Sequence, residues 1–254
     1  MSLSPALMPT TTLGEIWVYL AATPLLGLTL TLLAYAVAHR LFLACGSHPL
    51  ANPVAVAIAL IGSLLWLTGM PYTTYFEGAQ FVHFLLGPAT VAMAVALHAQ
   101  WPLLRRLWWP LLAGLAVGAL AAALSAVLLG WALGASPQSL ASLAPKSVTT
   151  PVAMGIAESL GGLPSLTAVL VVSTGIWGAV TARGLFHWLG WHDPVVRGFA
   201  LGVAAHGIGT ARAFQVDPTM GAFAGLAMGL AALFNAIALP PLMGALLAWL
   251  TAPA

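Results

Sequence analysis

The chain has 254 residues, of which 61% are hydrophobic and only 5% are charged, and its formal net charge at pH 7 is +2. Because about a quarter of the residues of a soluble domain are charged, this composition excludes a water-soluble protein and predicts a polytopic membrane protein. The small, scattered charge gives no basis for nucleic-acid binding, and the single cysteine, Cys45, excludes an internal disulfide.

The length predicts a single-domain, all-α transmembrane bundle over residues 1–254, with about seven or eight membrane segments at roughly 20 residues a span. Residues 1–14 contain no basic residue, so we interpret them as a short tail and not as a cleavable signal peptide. Apolar stretches with polar, basic or aromatic borders predict helices at residues 17–38, 53–68, 75–100, 111–133, 164–182, 195–212 and 220–250.

Helix breaks are expected where proline or glycine interrupts these stretches, since proline lacks a backbone donor and clashes with the preceding turn. The expected breaks lie at Gly87, Pro88, Pro145 and Pro151, and a kink is expected at Pro240–Pro241.

Two polar segments interrupt the apolar sequence. They are residues 144–151, with the sequence APKSVTTP, and residues 206–212, with the sequence HGIGTAR. The segments contain Lys146 and Arg212, which are two of only seven basic residues in a chain that also has five acidic residues. Because unpaired polar and charged groups are costly in lipid, such interruptions are the first place to seek function.

Each interruption predicts the start of a half-helix. In Thr149-Thr150-Pro151, the hydroxyl residue followed by proline, Thr150, is expected to cap a half-helix that begins at Pro151 and runs to Leu160, and Thr210 is expected to cap a second one. Helix N-termini offer free amides and a positive dipole, which favour anions. Lys146 and Arg212 would add full positive charge, and a guanidinium suits a carboxylate.

The sequence therefore predicts a binding site for a small carboxylate at membrane depth. The candidate binding residues are Lys146, Ser147, Thr149, Thr150, His206, Gly207, Gly209, Thr210 and Arg212. Alternatively, Lys146 snorkels to the interface from a loop, and Arg212 lies in a polar loop before Asp217. If the carboxylate site is correct, Arg212→Gln should abolish uptake and leave folding and membrane insertion intact.

Other polar residues in the apolar stretches have two interpretations each. Glu77 and Glu158 either carry a coupling proton or pair with Lys146 or Arg212. His206 either acts directly or is a satisfied buried polar residue. Asn235 either lines the transport path or hydrogen-bonds a neighbouring helix.

The topology depends on residues 136–161. If residues 136–161 cross the membrane, and if Arg40, Arg105 and Arg106 are cytoplasmic, then Arg183 and Arg197 face outside. If residues 136–161 instead enter the membrane and return to the same side, all five arginines are cytoplasmic, as the positive-inside rule prefers. The second alternative predicts an inverted repeat, with the stretches from residue 164 running opposite to those from residue 53. Residues 87–90, GPAT, also precede residues 207–210, GIGT, by about half the chain.

Motifs for enzymatic chemistry are missing from the sequence. It contains no His-Glu-x-x-His, Gly-x-Ser-x-Gly or Walker-type segment, and its histidines lack metal-site spacing. We therefore predict that the protein is not an enzyme and uses no cofactor or metal.

Several segments together resemble the LrgB/CidB family of bacterial membrane proteins. They are FLLGPATVA at 84–92, PKSVTTP at 145–151, GGLPSLTA at 161–168, HGIGTAR at 206–212 and GAF at 221–223. The resemblance covers residues 24–250. The chain departs from the family pattern at Ala96, His98 and Ala205.

The resemblance implies a multi-pass protein of the bacterial cell (inner) membrane and two functional descriptions. One is a secondary transporter of small monocarboxylates such as pyruvate or glycolate, as in the related plastid glycolate/glycerate translocator. The alternative is a holin- or antiholin-associated regulator of murein hydrolase activity and lysis. The expected partners are membrane lipid, the carboxylate and an LrgA/CidA-like small membrane protein, with homo-oligomerisation a further expectation. The anion-favouring breaks favour the transporter.

Overall fold

The computed structural model describes residues 24–48, 51–85, 88, 91–92, 95 and 98–250, and it confirms an all-α membrane protein. In the described residues the helices are α1 (Pro24–Ala44), α2 (Pro53–Thr68), α3 (Tyr72–Phe84), α4 (Trp101–Ala132), α5 (Pro137–Leu143), α6 (Thr150–Ser159), α7 (Pro164–Trp188), α8 (Pro194–Val216) and α9 (Pro218–Leu250). The chain divides into two compact units, Met1–Pro88 and Ala89–Ala254, and the prediction of a single domain stays a prediction.

The N-terminal unit contains α1, α2 and α3. Helix α1 packs closely on α3, because Gly27 lies against the backbone of α3 and the Thr31 and Tyr75 hydroxyls are 2.7 Å apart. Helix α2 has the predicted bounds: Asn52 Oδ1 accepts hydrogen bonds from two backbone amides of its first turn, and Gly69 ends it with φ 65°.

Among the described residues, four helices are long and apolar enough to cross a membrane: Leu25–Ala44 within α1, and α4, α7 and α9. Three of them differ from the predicted stretches in the same way. Helix α1 continues past Arg40, α4 begins before Arg105, and α7 continues past Arg183. A basic border marks the level at which a helix leaves the hydrocarbon core of the membrane. The helix itself ends later, because its backbone hydrogen bonds continue beyond that level.

Residues 137–159 form a helical hairpin, which we call hairpin 1. Helix α5 packs on Gly130 near the end of α4, and after a turn at residues 144–149 helix α6 runs back. Ser142 in α5 joins the two ends of the hairpin: its Oγ accepts a hydrogen bond from Leu163 N at 2.8 Å, and its carbonyl oxygen accepts one from Thr167 Oγ1. Residues 136–161 therefore go in and return.

Helix α8 is a second hairpin, which we call hairpin 2. Its backbone leaves the helical region at Ala205 (φ −130°, ψ 17°) and His206 (φ 39°, ψ −132°). A Cβ on Gly209 would lie 2.8 Å from the carbonyl oxygen of Leu201, whereas eight residues of straight helix span about 12 Å. Residues 207–216 thus run back along residues 194–204, and Gly198 lies against the Met220 carbonyl at the start of α9.

The helix directions in the C-terminal unit follow from these contacts. Gly114 and Gly118 of α4 face Phe199 and Val203 of hairpin 2, so α4 and α8 begin at the same end. Since α7 leads directly into α8, α7 runs opposite to α4 and α9. Arg183 and Arg197 consequently lie at the end of the unit where Arg105 and Arg106 lie, as the dip-and-return alternative requires.

Each hairpin is followed by a long helix, and the two hairpin–helix pairs run in opposite directions. Hairpin 1 enters from the end where α4 finishes and precedes α7, whereas hairpin 2 enters from the other end and precedes α9. This inverted relation lies inside the C-terminal unit, so its period is shorter than the predicted one. Of the predicted match between residues 87–90 and 207–210, Gly87, Ala89 and Thr90 lie outside the described residues.

Candidate functional site

The turns of the two hairpins meet at Val171, about two turns into α7. Val148, in the turn of hairpin 1, forms one buried cluster with Val171 and with Ala153 of α6, and Ala232 of α9 packs against it. From the other side, the Nε2 atom of buried His206 lies 2.9 Å from the carbonyl oxygen of Val171. The structure therefore brings together the two polar segments that the sequence singles out.

Both half-helix N-termini lie at this meeting point. Helix α6 starts at Thr150, directly after the turn of hairpin 1, and the returning arm of hairpin 2 starts after His206. The first turn of a helix leaves backbone amides without an intrahelical acceptor and carries the positive end of the helix dipole. The positive ends of two helix dipoles therefore lie beside Val171.

Both half-helices begin earlier than the capping predictions have them. Thr150 is the first residue of α6 and not its cap, and Thr149 occupies the N-cap position with an extended ψ of 139° and makes no side-chain capping hydrogen bond. Thr210 is not a cap, because the helix break lies earlier, at Ala205 and His206, and the Thr210 hydroxyl donates to the His206 carbonyl at 2.8 Å. The glycines at 207 and 209 indicated the break, but they lie after it.

Lys146 lies in the turn of hairpin 1, half-buried, with Nζ 3.5 Å from the Oγ of buried Ser147. Within the described residues no carboxylate pairs with it. In the C-terminal unit Asp193 and Asp217 accept hydrogen bonds from backbone amides at the starts of α8 and α9, and Glu158 is exposed near the end of α6. The positive charge at the turn is therefore uncompensated by described acids.

Arg212 lies farther along the returning arm of hairpin 2, about 9 Å of helix beyond His206. It is half-buried, and its Nη1 donates to Gln215 Oε1 at 3.2 Å. It thus lies in a helix, and not in the loop of the alternative interpretation. Its role in binding stays a prediction.

The remaining candidates have distinct positions. Glu77 is exposed on α3 of the N-terminal unit, so its proposed coupling or pairing role stays a prediction, as does that of Glu158. Asn235 is buried, and its Nδ2 donates to Ala231 O one turn earlier in α9. The expected bond to a neighbouring helix is therefore replaced by one within its own helix.

Pro145 is fully buried in the turn of hairpin 1, and Pro151 lies in the first turn of α6, so both predicted breaks coincide with an interruption. Gly87 lies outside the described residues. Pro240 and Pro241 lie inside α9, which continues to Leu250.

Sequence reasoning missed the residues that hold the hairpin turns in place. Gly175 of α7 faces the His206 ring, where a Cβ would lie 2.7 Å from Cε1. Met228 of α9 lies beside Gly207, with its Sδ 3.9 Å from Thr210 Oγ1. Ser142 and Thr167, both fully buried, were detectable as hydroxyl residues in apolar helices. Gly175 carried no such signal.

The fold and this site define an all-helical membrane protein in which, within the described residues, two hairpins enter from opposite ends of the C-terminal unit and meet at Val171. The chain belongs to the LrgB-like family, whose model matches residues 31–245. It is 33% identical over 219 residues to YwbG of Bacillus subtilis (strain 168), covering 86% of this chain and 97% of that protein. YxaC of the same strain is 34% identical over 202 residues, covering 80% and 86% respectively.

A third relative has a functional name. The antiholin-like protein LrgB of Bacillus cereus (strain B4264) is 28% identical over 223 residues, covering 87% of this chain and 96% of that protein. No solved structure matches the chain.

Proposed function

We propose that this protein is a secondary transporter of small monocarboxylates, of the pyruvate or glycolate type, in the bacterial inner membrane. The observation that carries the proposal is the convergence of two half-helix N-termini beside Val171, next to a half-buried lysine that no described carboxylate pairs with. An anion is the ligand that such a centre favours, and broken helices at mid-membrane are typical of transporter binding sites.

The paired hairpins also suit alternating access. Because hairpin 1 and hairpin 2 enter from opposite ends, each separates the centre from one side of the unit. Small movements of one hairpin at a time would expose the centre to either side. Ser147, Thr150 and the amides of Gly207 and Gly209 would donate hydrogen bonds to the carboxylate, and Lys146 would supply its countercharge.

The test is uptake of radiolabelled pyruvate and glycolate into proteoliposomes that contain the purified chain alone. Saturable uptake that unlabelled carboxylate inhibits, with a trapped dye retained, is the expected result. Empty liposomes and liposomes with an unrelated membrane protein are the controls. Dye leakage without saturable uptake contradicts the proposal.

The antiholin-like name of the B. cereus relative favours a second candidate, regulation of murein hydrolase activity and lysis together with an LrgA/CidA-like small membrane protein. The same proteoliposomes distinguish the two candidates when the partner is included. Release of the dye only when both proteins are present supports the lysis regulator, whereas partner-independent uptake supports the transporter. The prediction that the chain is not an enzyme stays a prediction.

A further inference from the structure

An apolar groove runs along the outside of the C-terminal unit between the first half of α4 and the middle of α9. Its cavity volume is about 520 Å³, and its lining includes Trp101, Arg105 and Trp108 of α4 and Leu226 and Leu230 of α9. On α4 these residues follow one another at intervals of three and four, so they share one face of the helix. Arg105 is the charged group in the lining.

The dimensions of the groove match one leaflet of a bilayer. Its α4 wall extends from Trp101 to Leu112, which is about 16 Å of helix at 1.5 Å a residue and close to half of a hydrocarbon core about 30 Å thick. Helix α4 has 32 residues, more than the roughly 20 that a span needs. Its first turns, with Arg105, can therefore reach the headgroup level.

The chemistry of the groove changes along its length. Trp101 and Trp108 are about half exposed, as is typical of side chains at a membrane interface. Deeper in the groove the walls are leucines. The Arg105 guanidinium can form a bidentate pair with a phosphate, and Arg106, Arg183 and Arg197 lie at the same end of the unit, which favours an anionic membrane surface.

We propose that this groove binds an anionic phospholipid, with one acyl chain along the leucines and the phosphate on Arg105. The complementary charge at one end and the acyl-length apolar wall below it select this occupant over a neutral lipid. The site is separate from the meeting point of the hairpins, so the proposal does not depend on transport.

Arg106 provides a matched control. It is the next residue on α4, is exposed and carries the same charge, but it does not line the groove. An effect of general membrane electrostatics would be equal for Arg105 and Arg106, whereas a built site distinguishes them.

The experiment measures lipid retention by native mass spectrometry of the purified full chain, titrated with phosphatidylglycerol or phosphatidylcholine. We expect preferential retention of phosphatidylglycerol, a loss of about fivefold in its bound fraction for Arg105→Gln, and wild-type retention for Arg106→Gln. Arg105→Lys should keep most of the binding. Leu230→Trp, which fills the groove and leaves the charge in place, should also lower retention.

Equal retention by the Arg105→Gln and Arg106→Gln variants overturns the proposal, as does equal binding of the two lipids. If the Leu230→Trp variant retains phosphatidylglycerol as well as the wild type does, the lipid lies elsewhere and the proposal is also overturned. Glycerol phosphate, which has the headgroup phosphate without acyl chains, should not raise the Tm of the purified chain. The Tm of each lipid-free variant should stay within about 2 °C of the wild type, which separates loss of the site from loss of the fold.

Discussion

The Nε2 atom of His206 lies 2.9 Å from the carbonyl oxygen of Val171, a hydrogen bond between the break in hairpin 2 and the first third of α7. Val171 also packs on Val148 in the turn of hairpin 1. One residue of α7 thus contacts both hairpins. In the proposed transporter, a movement of hairpin 2 that opens the centre would break or redirect the bond from His206.

Lys146→Gln should lower carboxylate uptake by about tenfold or more, because the loss of a charge-assisted hydrogen bond costs about 1.5–3 kcal/mol. The measurement is initial uptake rate in proteoliposomes against substrate concentration. Arg197→Gln is the control, since the Arg197 Nε donates to Trp191 O near the end of the unit. Equal rates for wild type and Lys146→Gln would remove Lys146 from the site.

Gly175→Ala should displace the His206 ring, because the added Cβ would lie 2.7 Å from Cε1 and 2.9 Å from Ile208 Cδ1. Overpacking of this kind costs about 1–3 kcal/mol, so both the Tm in detergent and the uptake rate should fall. Gly184→Ala lies on the same helix with open space around it and should leave both unchanged. Similar Tm values for the two variants would show that α7 and His206 are not tightly packed.

His206 has φ 39° and ψ −132°, a region that costs a non-glycine residue about 1–3 kcal/mol. His206→Gly should therefore be about 1 kcal/mol more stable than His206→Ala, although both lose the hydrogen bond to Val171. Comparing the thermal unfolding of the two variants separates the effect of backbone strain from the effect of losing the imidazole ring. If the alanine variant is as stable as the glycine variant, the backbone at this break is unstrained.

The direction of α7 predicts the labelling pattern of introduced cysteines. In a background in which Cys45 is replaced by serine, Leu133→Cys at the end of α4 and His187→Cys at the end of α7 should react with an impermeant maleimide from opposite sides. Both positions are exposed. Labelling of both from one side would contradict hairpin 1 as a segment that enters and returns.

The sequence by itself determined the class of the protein and the location of its candidate functional segments. With 5% charged residues, only a lipid environment suits the chain, and polar interruptions at residues 144–151 and 206–212 are too costly in lipid to be incidental. Basic borders such as Arg105 and Arg183 indicated where helices leave the hydrocarbon. They did not indicate where the helices end, because backbone hydrogen bonding continues into the interface.

Only the tertiary structure decided that both interruptions are hairpin turns and that they meet at Val171. Local composition cannot distinguish a segment that crosses from one that returns, because both are apolar with a polar middle. The difference lies in contacts between residues distant in sequence, such as Ser142 with Leu163 and Gly209 with Leu201. The same long-range contacts explain why the break lies at His206 and not at Thr210. At His206, α7 supplies a carbonyl that the imidazole contacts and a glycine that leaves room for the ring.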